Sequence, residues 1–116
     1  CVTTEEPCYF SISISNNVTN TDLFLIASLK NSAYKVKSKI TRETDTNFAQ
    51  GISEFFINYS SNATAWNVRK ETVSDFESVE TGLTFDMNAR TLNYDSSDIT
   101  GANYAGEISG TIERIL

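Results

Sequence analysis

The 116-residue chain contains no histidine, which removes the usual general base and the commonest neutral-pH metal ligand. Cys1 and Cys8 are the only thiols. Their spacing is not that of a CxxC redox pair, and two sulfurs without histidine cannot complete a four-ligand zinc site. Two roles stay open for them. A disulfide between Cys1 and Cys8 would close a small loop and pin the N-terminus beside the first strand. Alternatively, Cys1 is the acylated first residue of a mature lipoprotein, and Cys8 is then a lone thiol.

Fifteen acidic residues make some pair of neighbouring carboxylates inevitable, so their number does not argue for glycoside hydrolysis. Asp95 and Asp98, with Asp86, could gather oxygens around Ca²⁺, but turn aspartates account for the same letters and no metal site is expected. The chain carries no P-loop, dinucleotide fingerprint or EF-hand. A non-enzymatic protein without a cofactor is expected.

The remaining candidates are for binding. Trp66, Tyr59, Tyr94 and Tyr104 are the rings a carbohydrate-binding module would expose on a concave surface, although Trp66 also reads as core. Lys35, Lys37 and Lys39 alternate along one strand and form either its solvated face or a docking face for an acidic partner or glycan. The net charge is −6. Residues 71–116 hold 2 basic against 9 acidic side chains, a balance that repels phosphate backbones and argues against nucleic acid as the main partner.

The elements that must position these residues are strands. Tyr9 to Ser15 places Phe10, Ile12 and Ile14 on one face and serines on the other. Leu23 to Leu29 reads as a central strand, and Ala33 to Arg42 alternates Tyr34, Val36, Ser38 and Ile40 with the lysines. Turn residues Lys30 to Ser32 between them predict an antiparallel hairpin over Asp22 to Arg42. Asn47 to Tyr59 is ambiguous: Phe48, Ile52, Phe55, Phe56 and Tyr59 fall on a helical face, so the expectation is a short helical or irregular crossover feeding a strand at 54–59. Further strands are expected at 64–69, over Leu83, Phe85 and Met87, at Thr91 to Tyr94 and from Asn103 to Ile115. Val73, Phe76 and Val79 suggest one short helical turn, stopped at Gly82.

Seven or eight short strands without βαβ alternation predict one all-β domain over residues 1–116. The expected architecture is a two-sheet antiparallel β-sandwich with Ig-like or related Greek-key wiring, with a closed barrel as the alternative. No run of 18 apolar residues offers a transmembrane span. The sequence shows no signal peptide, which a mature or trimmed chain would have lost, and its start at Cys1 suggests that this is not a native start. Three N-x-[ST] sequons, at Asn17, Asn58 and Asn62, join the cysteines in pointing to an extracellular setting.

Gly82-Leu83-Thr84-Phe85-Asp86, Thr91-Leu92 and Gly101-Ala102-Asn103-Tyr104 before an alternating strand resemble the ending of bacterial Ig-like and cadherin-like surface domains. Gly101 to Gly106 also resembles the terminal Gly-x-Tyr-x-Gly strand of fimbrial subunits, with one extra residue. The resemblance implies a secreted or cell-surface role, as a modular adhesin or as a subunit assembled by strand exchange. If strand exchange operates, Tyr9 to Ser15 is the candidate donor. The functional expectation is therefore an interaction or structural module in adhesion, in a fibre or at a host surface, meeting a protein partner or another copy through an edge strand. A carbohydrate-binding module is the alternative.

Overall fold

The computed structural model describes residues 8–25, 32–60 and 65–116. These form eight strands: β1 (Cys8–Ser13), β2 (Thr21–Leu25), β3 (Ala33–Glu43), β4 (Phe48–Ser60), β5 (Ala65–Asp75), β6 (Leu83–Asn88), β7 (Thr91–Ser96) and β8 (Ala105–Arg114). They pair antiparallel in a five-stranded sheet ordered β1-β8-β3-β4-β5 and a three-stranded sheet ordered β2-β7-β6. The chain changes sheets between β1 and β2, β2 and β3, β5 and β6, and β7 and β8. The expected all-β, two-sheet sandwich is therefore present. No helix among the described residues is long and apolar enough to cross a membrane.

The predicted hairpin over Asp22 to Arg42 does not form. β3 is flanked along its length by β4 on one side and β8 on the other, from Ala33↔Asn58 to Glu43↔Phe48 and from Tyr34↔Arg114 to Glu43↔Ala105. Both of its edges are occupied, so no edge remains for β2, which pairs with β7 in the other sheet. β2 is an edge strand and not a central one; the expected continuation of that strand through Leu29 falls outside the described residues.

The expected helical crossover after Asn47 is also replaced by strand. β4 runs unbroken through Phe48–Ser60, with Ala49, Gly51, Ser53, Phe55 and Ile57 buried. The spacing that imitated a helix came from Phe48, Ile52 and Phe56, which face outward. The inward row hides behind small residues, and the Ser38 and Ser53 hydroxyls meet there at 2.6 Å. A side chain at Gly51 would strike the Ser74 carbonyl, so glycine here admits close passage of β5 and does not weaken a helix. The proposed helical turn at Val73, Phe76 and Val79 is absent as well. Val73 belongs to β5, and the Phe76 N–H continues the ladder to the Gln50 carbonyl at 2.8 Å.

The core lies between the sheets. Tyr34, Val36, Ile40, Phe55, Ile57, Trp66, Ile108 and Ile112 from the larger sheet meet Leu83, Phe85, Leu92 and Tyr94 from the smaller one. Phe55 stacks on Phe85 with ring centroids 4.7 Å apart, joining the two layers near their middle.

Within that core the Tyr34 hydroxyl is buried and has no hydrogen-bond partner among the described residues. Removing an unpaired buried hydroxyl relieves a desolvation cost. Tyr34→Phe is accordingly expected to leave stability within about 1 kcal/mol of the parent, or to raise it. Tyr94→Phe forfeits the 2.8 Å bond that its hydroxyl accepts from the Ser15 N–H, and should cost about 1–2 kcal/mol. Urea unfolding midpoints of the two variants check the contrast.

Candidate interaction surface

One end of the sandwich is closed by Arg42, whose side chain is 0% exposed. Its inward position follows from the β3 alternation, two residues past Ile40. Nε donates to the Tyr104 hydroxyl at 3.0 Å and Nη1 to the Thr81 carbonyl at 2.6 Å, with a longer contact to Ser97 Oγ at 3.4 Å. Nη2 donates to the Ser97 carbonyl at 2.6 Å and to Asn16 Oδ1 at 2.8 Å. The guanidinium also lies 5.5 Å from the Tyr104 ring centroid, within cation–π range. No carboxylate among the described residues forms an ion pair with it, so peptide dipoles stand where a counter-ion would. Arg42 thereby ties the segments after β1, before β6, after β7 and before β8 into one plug. This is a structural role that the sequence reading missed, because a strand arginine reads as solvated surface.

The four candidate rings fall into this framework and do not form a platform. Trp66 and Tyr94 are buried, at 6% and 2% exposure. Tyr59 is half-buried and meets Trp66 edge-on at 5.5 Å. Tyr104 is half-buried, accepts from Arg42 and donates to the Ile14 carbonyl at 3.1 Å. The three aspartates are dispersed among local tasks: Asp95 Oδ1 accepts from the Asn20 N–H, Asp98 Oδ1 from Asn16 Nδ2, and Asp86 Oδ1 from the Met87 N–H. The described residues hold no group of three His, Cys, Asp or Glu side chains able to share a metal ion.

Lys35, Lys37 and Lys39 do share the outer face of the five-stranded sheet. Across the ladder, however, Lys35 lies opposite Glu113 and its Nζ sits 3.7 Å from Glu54 Oε1. Glu107, opposite Thr41, follows further along. The stripe is therefore edged with carboxylates and offers little unbalanced positive charge. Exposed apolar groups, Phe48, Ile52 and Phe76, lie toward one end of β4 and β5. Asn17 is exposed in a left-handed turn, φ 52°, while Asn58 sits within β4. The Asn62 sequon lies outside the described residues, as does Cys1, so the expected Cys1–Cys8 pairing is outside them too.

The sheet edges differ sharply from one another. β5 carries a bulge between its Thr72 and Arg69 pairings, with Lys70 at φ 53°. Beside it lies Glu71, whose carboxylate is influenced by the Phe85 backbone N–H of β6. β2 is bulged between Asp22 and Phe24, and β6 carries Asp86. Bulges and charges of this kind prevent a strand from recruiting another. β1 has neither: Cys8–Ser13 contains no charge, glycine or proline and pairs with β8 without a register shift.

Burial raises the Glu71 pKa above its ordinary 4.5, and the nearby Asp86 charge adds to the rise, against the lowering by the Phe85 N–H. A carboxyl whose folded-state pKa is raised binds more protons folded than unfolded. Stability therefore falls as pH increases through 4.5 toward the raised value. Glu71→Gln should match the parent below that window and melt at a slightly higher temperature above it, the effect staying small because the edge is still reached by solvent. Thermal melts at a series of pH values read this directly.

No family model, curated protein or solved structure matches the chain.

Proposed function

We propose that this chain is a non-enzymatic interaction or structural module, working secreted or at a cell surface, whose contact element is the β1 edge of the five-stranded sheet. The observation that carries the reading is the contrast between edges: three are bulged or charged, and β1 is neither. A sheet edge left free of such devices binds extended chains by main-chain hydrogen bonds. Tyr9, 84% exposed on that strand, adds a ring of the kind enriched at protein contacts. The exterior setting rests on the sequons, the cysteines and the resemblance of Gly82 to Gly106 to bacterial surface domains and fimbrial subunits. Adhesion and fibre assembly are both uses of such an edge.

A photo-reactive phenylalanine analogue in place of Tyr9, in the natural source, should give a protein adduct that the same analogue at exposed Thr84 of β6 does not. Equal adducts at the two positions, or none at Tyr9, would overturn the edge reading. A membrane-impermeant amine reagent should modify Lys37 and Lys39 on intact cells; modification only after lysis would refute the exterior placement.

A further inference from the structure

The backbone of β1 states which groups a partner would meet. Ile14 donates to the Gly106 carbonyl at 3.1 Å, and the register pairs Ile12 with Ile108 and Phe10 with Gly110. In an antiparallel ladder, hydrogen-bonded pairs alternate with non-bonded ones, so the N–H and C=O groups of Phe10, Ile12 and Ile14 serve β8. Those of Tyr9, Ser11 and Ser13 point away from it, along the edge. No hydrogen bond from another described residue reaches them.

We infer that the occupant of this edge is a second copy of the same chain, paired antiparallel and two-fold about Ser11. The inference rests on the edge reading above and names its partner. In this register Ser11 faces the second copy's Ser11, and Tyr9 faces its Ser13. Each of these pairs is built from the outward-pointing groups, so all three become hydrogen-bonded pairs at once. The intervening pairs are Phe10 against the second copy's Ile12 and the reverse. Both side chains face the sandwich interior and are only half-buried in one chain, so pairing closes apolar surface that the isolated domain leaves open at the rim. Phe10 already leans on Phe24 of the smaller sheet, with centroids 5.2 Å apart. The strand itself carries no charge; the nearest is Glu107 of β8, whose Oε1 accepts from Ser11 Oγ at 2.8 Å on the outer face. The register therefore satisfies backbone and inner face together from one self-complementary patch, as an isologous contact requires. The result is one continuous ten-stranded sheet across the dimer, counted as two copies of the five strands.

Sedimentation velocity on the whole chain, from micromolar to about 1 mM, tests this. A species of twice 12.9 kDa should grow with concentration. Ser11→Pro removes an N–H that β8 does not use, and with it both central bonds, weakening association at least about tenfold. Ser11→Asp adds a carboxylate beside Glu107 in each copy, so that four gather at the two-fold axis, and should leave a monomer. Thr84→Lys should dimerise like the parent. Thermal melts of the dilute proteins show whether each variant folds; at least one folded Ser11 variant that stays monomeric is the expected result. A parent chain monomeric throughout, or folded Ser11 variants that dimerise as well as the parent, would overturn the inference. A monomeric parent whose position 9 still cross-links a different protein would end self-pairing and leave the edge reading standing. Absence of any position 9 adduct would end both.

Discussion

Arg42→Ala should lower the unfolding free energy by at least about 3 kcal/mol, the largest loss expected from any one polar side chain here. The substitution leaves the Thr81 and Ser97 carbonyls without their side-chain donor and takes one of two donors from Asn16 Oδ1, and an orphaned buried carbonyl costs about 1–3 kcal/mol. It also removes the aliphatic stem and the cation over Tyr104. Domains of this size are stable by about 5–15 kcal/mol, so a substantial share of the total is at stake. Arg42→Lys keeps the charge but not the planar fork that reaches several acceptors together, and should recover only part of the loss. Because Asn16 also accepts from the Ile99 N–H at 2.9 Å and donates to Asp98 and to the Ile99 carbonyl, Asn16→Ala should damage the same unit. The Asn16→Ala, Arg42→Ala double variant should then lose less than the sum of its parts. Chemical denaturation of the four proteins measures both statements.

Phe55→Ala should cost about 3–5 kcal/mol, whereas Phe56→Ala should cost no more than about 1.5 kcal/mol. Phe55 is wholly buried and stacked on Phe85, while Phe56, the next residue, points to the outer face and is half-buried. The pair also discriminates between conformations. On a helix through Asn47 to Tyr59 the two phenylalanines would share one buried face and both would be costly. On a strand they part company, and only one is. Comparable losses at both positions would contradict β4.

What the chain disclosed in advance follows from which signals are local. Alternation over Tyr9 to Ser15, Ala33 to Arg42 and the last strand was readable because apolar side chains recur there every second or fourth residue against serines, lysines or glutamates. β4 was misread because its inward row begins with Ala49, Gly51 and Ser53, small residues that carry no hydrophobic signal. Three outward aromatic or aliphatic groups supplied a false period instead. The hairpin failed for a different reason. Turn residues at Lys30 to Ser32 say that the chain reverses, not which sheet it enters, and the competition of β4 and β8 for the edges of β3 is non-local. Among the candidate site residues, the lysines were placed correctly on a common face, but the carboxylates beside them belong to β4 and β8 and could not be seen from one strand. Tyr104 was singled out as a ring, whereas its partners Arg42 and Ile14 are 62 and 90 residues away. Gly101 illustrates a motif whose reason lies elsewhere: at φ 125° it lets the chain pass against Thr44, where a side chain would collide.

The most direct test of the account is residue-resolved amide exchange on the dilute monomer. The N–H groups of Phe10, Ile12 and Ile14, bonded to β8, should exchange slowly, while those of Tyr9, Ser11 and Ser13 exchange at least about a hundredfold faster, since fully unpaired edge amides need no opening event. Uniform protection along β1 would mean that its outer edge is already covered, and uniform rapid exchange would mean that β1 is not part of the sheet; either result would contradict the open edge on which the proposed function depends.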